Sequence, residues 1–281
     1  MTAEPVMARQ PVVATRRPAP PPRLPGANVA APNATIVCRE DVSPTIVRLH
    51  VRPDEGVPAF EPGQYLALGL EVDGRPLQRP YSTASPRGET DELEFLVRLV
   101  PPGALTPRLW SLGEGARVRL GRPKGLFTAD ADDARRPVYV ATGTGIAPLI
   151  SMLESRLRER ADGPSHRRPI VVHGVARAGD LAYRDRLEAH AARGRVTYVP
   201  AVSRPADPAN DGWHGPTGRL DLLLPSMLTA LGADPAETVA FICGNPAMTD
   251  AAAAVLLSHG LPAEAVRSEA YWVPAPAPSA A

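Results

Sequence analysis

Lysine, cysteine and aromatic residues are scarce in this chain. Of its 281 residues Lys124 is the only lysine, against thirty arginines, and with 30 Asp and Glu the formal net charge is +1. That balance leaves no excess of positive charge to attract nucleic acid or an anionic membrane. The two cysteines, Cys38 and Cys243, stand far apart in the sequence. They exclude a disulfide framework and any four-thiolate zinc or iron–sulfur site built from this chain alone, and no metal site is expected. Electrons that pass through such a chain must ride on an organic cofactor. No run approaches the ~18 consecutive apolar residues that cross a bilayer, so no membrane insertion is expected. Arg16-Arg17 could open an export signal, but Pro18-Ala-Pro-Pro-Pro22 follows where an apolar stretch is required. The expected compartment is the cytoplasm.

Proline and glycine are plentiful, with 34 and 23 copies, and 44% of the residues are hydrophobic. Residues 1–32 are Pro- and Ala-rich without an apolar period and read as a disordered tail, as do residues 274–281. Between them the pattern changes once. Over 33–132, short alternating or β-branched runs such as Thr45-Ile-Val-Arg-Leu-His-Val51 and Leu93-Glu-Phe-Leu-Val-Arg-Leu99 are punctuated by Gly, Pro and Asp. That spacing fits an antiparallel barrel. Over 133–273, nearly continuous apolar runs such as Pro137-Val-Tyr-Val-Ala141 and Thr238-Val-Ala-Phe-Ile-Cys243 alternate with segments of helical spacing. This is the signature of a parallel sheet wound with helices. Two domains are expected, meeting at Asp130-Ala-Asp-Asp133.

Thr142, Gly143, Thr144 and Gly145 close the first apolar run of the second half and open an amphipathic helix expected over Ile146 to about Arg160. Glycines there let the backbone approach a pyrophosphate at a helix N-terminus. An ordinary strand-to-helix turn would look the same, and Pro148 departs from the Gly-x-Gly-x-x-Gly spacing.

Three further segments add weight: Arg79-Pro-Tyr-Ser82, Phe241-Ile-Cys-Gly-Asn-Pro-Ala-Met248 and Glu269-Ala-Tyr-Trp-Val273. In this order and separation they resemble the ferredoxin–NADP reductase family, in particular its bacterial ferredoxin/flavodoxin reductases, from about Gly63 to Val273. The resemblance implies an antiparallel Greek-key β-barrel for FAD followed by an α/β Rossmann-like domain for NADP(H). It implies that Arg79 binds the flavin pyrophosphate, that Tyr81, after Pro80, lies against the isoalloxazine, and that Ser82 hydrogen-bonds near flavin N5. A guanidinium fork, a flat phenol and a hydroxyl suit those tasks. Gly103, Ala104, Leu105 and Thr106 match a segment whose turn amides hold FAD, with Thr106 expected as a helix N-cap and Pro107 as the first helical residue. Gly125-Leu-Phe127 resembles a flavin-side turn, and Phe127 reads equally as core.

On the nucleotide side the resemblance places Ser203, Arg204 and Arg219 at a 2′-phosphate. Arg177 stands one residue beyond the relatives' position, which Ala176 occupies here. Cys243, with Gly244 and Asn245, would lie beside the nicotinamide and position it, since hydride transfer needs alignment rather than a protein nucleophile. Tyr271 would cover the flavin face that nicotinamide must reach and act as a gate, and Trp272 would lie near the FAD adenine. Glu269 reads as a surface residue. Ser82, Cys243 and Tyr271 are therefore the candidate catalytic set. The expected activity carries hydride from NADPH to FAD and single electrons on to ferredoxin or flavodoxin, by a monomer with Arg75 or Arg108 in a local docking patch. Two alternatives share the signals: a free-standing NAD(P)H reductase component of an oxygenase, and a flavin-binding subunit that does not turn over NADPH.

Overall fold

The computed structural model describes residues 31–88, 90–159 and 167–271; of the tails expected to be disordered, 1–30 and 274–281 lie outside the described residues. The first half supplies β1 (Ala34–Ser43), β2 (Ile46–Pro53), β3 (Tyr65–Val72), β4 (Arg75–Ser82), β5 (Leu93–Arg98) and β6 (Arg117–Leu120). They pair antiparallel in the order β4-β3-β6-β1-β2-β5. The outer strands meet where Thr83 bridges Phe95 and the Ala84 amide donates to the Glu94 carbonyl at 2.8 Å. That contact closes the sheet into a barrel, and β6 between β3 and β1 gives it Greek-key order. In β2 the alternation is direct: Val47, Leu49 and Val51 are buried, while Arg48 and His50 face outward. Asp73 and Gly74, both at positive φ, make the two-residue turn from β3 to β4.

The second half supplies β7 (Arg136–Thr142), α2 (Ile146–Glu159), β8 (Ile170–Val175), α3 (Arg184–Ala192), β9 (Thr197–Val202), α4 (Leu220–Ala230), β10 (Thr238–Gly244), α5 (Pro246–Ser258) and β11 (Val266–Ala270). A five-residue helix, α1 (Thr106–Trp110), lies between β5 and β6. The sheet is parallel, in the order β11-β10-β7-β8-β9. Every residue of β8 and β10 is buried, as a strand covered on both faces requires. The chain runs outward from β7 to β9 and then crosses back to β10, so the order reverses beside β7. Crevices at the carboxyl ends of strands at such a reversal take ligands.

The barrel and the parallel sheet share one apolar cluster, in which Ile46, Ala84 and Leu96 pack with Tyr139, Leu149 and Phe241. Polar ties add to it. Ser43 Oγ donates to Asp180 Oδ1 at 2.6 Å, and Ser151 Oγ donates to the Ser85 carbonyl at 2.6 Å.

Candidate active site

The ends of β7 and β10 interlock through two glycines. A Cβ on Gly145 would stand 2.3 Å from the Cys243 carbonyl oxygen, and one on Gly244 would stand 2.2 Å from Thr142 Oγ1. Only glycine lets the turn of residues 143–145 close against β10. The carbonyl of Gly143 accepts a 3.0 Å hydrogen bond from Nε2 of the fully buried His173. Burial lowers that imidazole to about 4, so it is neutral with its proton on Nε2. Pro148, which departed from the expected glycine spacing, sits buried in the first turns of α2, where a missing amide proton costs little.

Beyond these strand ends lies a cleft of about 460 Å³, lined by Thr142, Gly143, Thr144, Ser203, Arg219 and Asn245. The barrel contributes Arg98, at the end of β5, whose Nη1 lies 3.1 Å from where a Gly143 Cβ would be. Among the described residues the Arg98 side chain has no ion pair or hydrogen bond, so it offers an unshared cation beside the glycine turn. Sequence reasoning missed it; the one available signal was an outward-facing strand end just before the Gly103–Thr106 segment. The expected nucleotide ligands divide. Ser203 and Arg219 line the cleft, and Arg219 is steadied by Asp221 at 3.0 and 3.2 Å. Arg177 and Arg204 are exposed and outside the lining, with Arg177 Nε bound to Asp207 at 2.8 Å.

Where barrel and parallel sheet meet, the three candidate catalytic residues come together. Tyr271 follows β11, its amide donating to the Gly244 carbonyl at 2.7 Å; its side chain packs against the apolar cluster that contains Cys243, and its phenol is within electrostatic reach of Ser82, Cys243 and Glu269. Glu269 joins them, contrary to the expectation of a surface position: β11 pairs it with Cys243, and its Oε2 accepts from Ser82 Oγ at 3.3 Å. The surface reading arose because Val266-Arg-Ser-Glu-Ala270 has no apolar run to mark a strand. Burial raises the Glu269 carboxyl above its usual range, opposed by the Ser82 hydroxyl. Burial likewise pushes the Cys243 thiol and the Tyr271 phenol well up. Cys243 is thus a protonated thiol, suited to contact and not to nucleophilic attack.

On the barrel side Arg79 and Pro80 are exposed on β4, while Tyr81 is half-buried and burial lifts its phenol to about 12. Arg79 donates to the neighbouring Gln78 carbonyl at 2.8 Å and has no carboxylate partner among the described residues. From the Thr83–Phe95 bridge β4 and β5 run antiparallel, so Arg79 and the turn through Gly103, Ala104 and Leu105 face the same end of the barrel. Thr106 is not the helix cap that was expected. Leu105 holds that position, and the Thr106 hydroxyl instead accepts from the Val100 amide at 3.0 Å and donates to its carbonyl at 3.1 Å, pinning the turn. Phe127 is core, stacked edge-on to Phe241 at 6.0 Å. Trp272 lies outside the described residues. Two arginines without carboxylate partners, a glycine turn at a strand end and a half-buried phenol are the donor chemistry that two dinucleotides require.

Comparison with known proteins agrees with this geometry. Residues 33–128 match the family model described as an oxidoreductase FAD-binding domain, and residues 139–254 match that of an oxidoreductase NAD-binding domain. A ferredoxin–NADP reductase of Azotobacter vinelandii is 36% identical over 219 residues, covering 72% of this chain and 80% of the relative. A ferredoxin NADP+ reductase from Neisseria gonorrhoeae, solved with bound FAD and NADP, superposes with a TM-score of 0.72 at 25% identity, covering 85% of this chain and 97% of that one. An Amycolatopsis cytochrome P450 reductase superposes with a TM-score of 0.73 at 27% identity, covering 86% and 69%. With both cofactor domains matched in the order the two sheets set, the chain belongs to the ferredoxin–NADP reductase family.

Proposed function

We propose that this protein carries hydride from NADPH to FAD and hands the electrons on to a ferredoxin or flavodoxin, in either direction, as a cytoplasmic monomer. The observation that supports it most is the gathering of Ser82, Cys243, Glu269 and Tyr271 at the junction of barrel and parallel sheet, beside the cleft. FAD, when bound, supplies the chemistry of taking two electrons together and releasing them singly. In this reading residues 33–132 hold the flavin and 133–273 the nucleotide.

Arg79 and the turn of Gly103, Ala104, Leu105 and Thr106 bind the flavin pyrophosphate, Pro80 and Tyr81 give the ring its flat support, and Trp272 meets the adenine. Arg98 and the Thr142–Gly145 turn hold the pyrophosphate of the nicotinamide nucleotide. Ser203, Arg204 and Arg219 read its 2′-phosphate, with Asp221 fixing the fork of Arg219. Arg177 contributes only if it releases Asp207. Cys243, Gly244 and Asn245 shape the nicotinamide subsite, where the uncharged thiol packs against the ring. Tyr271 closes that subsite through its contacts to Ser82 and Cys243, and breaking those contacts opens it.

Stopped-flow reduction of the flavin by NADPH and by NADH, in wild type and Arg204→Ala/Arg219→Ala, tests the assignment. The expected result is a strong NADPH preference that collapses in the variant. A second reading, a reductase that serves an oxygenase, is favoured by the likeness to the Amycolatopsis P450 reductase. Equal rates with both nucleotides would support that one, and no bleaching with either would indicate a flavin-binding subunit without reductase turnover.

A further inference from the structure

Far along the sequence from the cleft residues, the outward face of β1 and β2 assembles a mixed ligand set. A register shift between Ile36 and Cys38 breaks the alternation of β1, so that Ile36 is buried while Cys38 faces out with Glu40, two residues on. Cys38 pairs directly across the ladder with His50. One donor atom from each of Cys38, Glu40 and His50 lies within 4.8 Å of the other two. Glu40 Oε1 is 3.2 Å from His50 Nε2, and His50 Nδ1 is 2.8 Å from Glu92 Oε1. Arg48 binds the other oxygen of Glu40, Oε2, and leaves Oε1 turned toward the imidazole. Arg52 lies 3.7 Å from Glu92 Oε2.

We propose that Cys38 Sγ, Glu40 Oε1 and His50 Nε2 bind a zinc(II) ion, with water in the fourth position. Thiolate, imidazole and carboxylate together suit zinc, whose tetrahedral ligand atoms stand ~3.5 Å apart, so side-chain shifts of about 1 Å bring the three donors onto one ion. With Nδ1–H donating to Glu92, His50 presents its Nε2 lone pair to the ion, and that outer carboxylate fixes the tautomer. Binding displaces the thiol proton to solvent, and the thiolate and Glu40 neutralise the ion's two charges. An imidazolium donating to Glu40 and Glu92 accounts for the two hydrogen bonds without a metal, but gives the thiol opposite it no part. The ion would pin β1 to β2 at the bulge. The sequence conceals the set because its ligands come from two strands and depend on that one-residue shift. The proposal is independent of the reductase reading.

Full-length, tag-free, FAD-loaded protein, stripped with a chelator, would be titrated with zinc(II) against a chromogenic indicator and with cobalt(II) by difference spectroscopy. One metal per chain is expected, with a thiolate-to-cobalt charge-transfer band and the visible bands of a tetrahedral ion. Cys38→Ser and His50→Ala should lose both, with flavin content unchanged, and Glu92→Gln should weaken zinc ~10- to 100-fold. Cys243 is fully buried and supplies no alternative thiolate, so the wild-type cobalt spectrum alone is decisive should a variant fail to fold. Absence of stoichiometric metal, a cobalt spectrum without the thiolate band, or zinc binding unchanged in Cys38→Ser would overturn the proposal.

Discussion

Ser82, the last residue of β4, donates its hydroxyl to Glu269 in β11 at 3.3 Å, although 187 residues separate them in the chain. One hydrogen bond therefore ties the end of the barrel strand to the edge strand of the parallel sheet, two residues before Tyr271. Its acceptor is a carboxyl that burial holds above its ordinary value of 4.5.

The sign of the resulting pH dependence is fixed. The folded state holds the proton of Glu269 more tightly than the unfolded chain, so the stability it contributes is full below pH 4.5 and is lost as pH rises through the elevated folded value. Glu269→Gln should match wild type in denaturant titrations near pH 4 and exceed it at pH 8. Ser82→Ala, which removes the hydroxyl from the carboxylate, should cost about 1 kcal/mol at pH 8. A Glu269→Gln variant less stable than wild type at pH 8 would contradict this account.

His173 works in the opposite direction. Its folded value of about 4, against 6.5 in the unfolded chain, means that its contribution is complete above pH 6.5 and disappears as pH falls toward 4. Some 2.5 pH units correspond to about 3 kcal/mol. His173→Gln, neutral throughout and able to donate to the Gly143 carbonyl, should flatten this acid limb. Urea midpoints collected between pH 7 and pH 4 would reveal whether it does.

Arg98 and Arg177 should behave differently although both are exposed cations. Arg98 lines the cleft with its charge unshared, so Arg98→Ala should raise KM for NADPH about ten- to a hundredfold, the size of one lost charge-assisted contact, with kcat nearly unchanged. Arg177 already serves Asp207 and stands outside the lining, so Arg177→Ala should leave KM within about twofold. Steady-state kinetics on the two variants side by side distinguish them, and equal effects would show that the ion pair opens on binding.

Gly145→Ala should destabilise the protein by about 1–3 kcal/mol, because its Cβ would meet the Cys243 carbonyl at 2.3 Å and neither backbone can yield freely. Since Cys243 and Tyr271 are in contact, the displacement should also slow flavin reduction. A melting temperature and a single-turnover rate taken on the same preparation test both parts.

Strands with a strong apolar signal were legible in the sequence, including the outer strand β5; β4 and β11 were not. β8 and β10, buried throughout, stand out as continuous apolar runs. β4, which carries two prolines and exposes half of its residues, and β11, paired only to β10, have polar sequences held in place by their neighbours. The site divides in the same way. Ser82, Cys243 and Tyr271 sit in segments whose order and residue types are distinctive. Glu269 opens one of those segments, but its place beside Cys243 depends on the pairing of β11 with β10; Arg98 owes its position to long-range packing that no local pattern encodes, and in a chain with thirty arginines its residue type carries no information.

The apolar cluster shared by barrel and parallel sheet sets how this protein comes apart. Ile46, Ala84 and Leu96 contribute to the same packed mass as Tyr139, Leu149 and Phe241, so removing either half strips the other of part of its interior. Severing the chain near residue 132 would leave two fragments with raw apolar faces rather than two small proteins. Heat should accordingly dismantle the molecule in a single cooperative step, with the flavin fold and the nucleotide fold lost together.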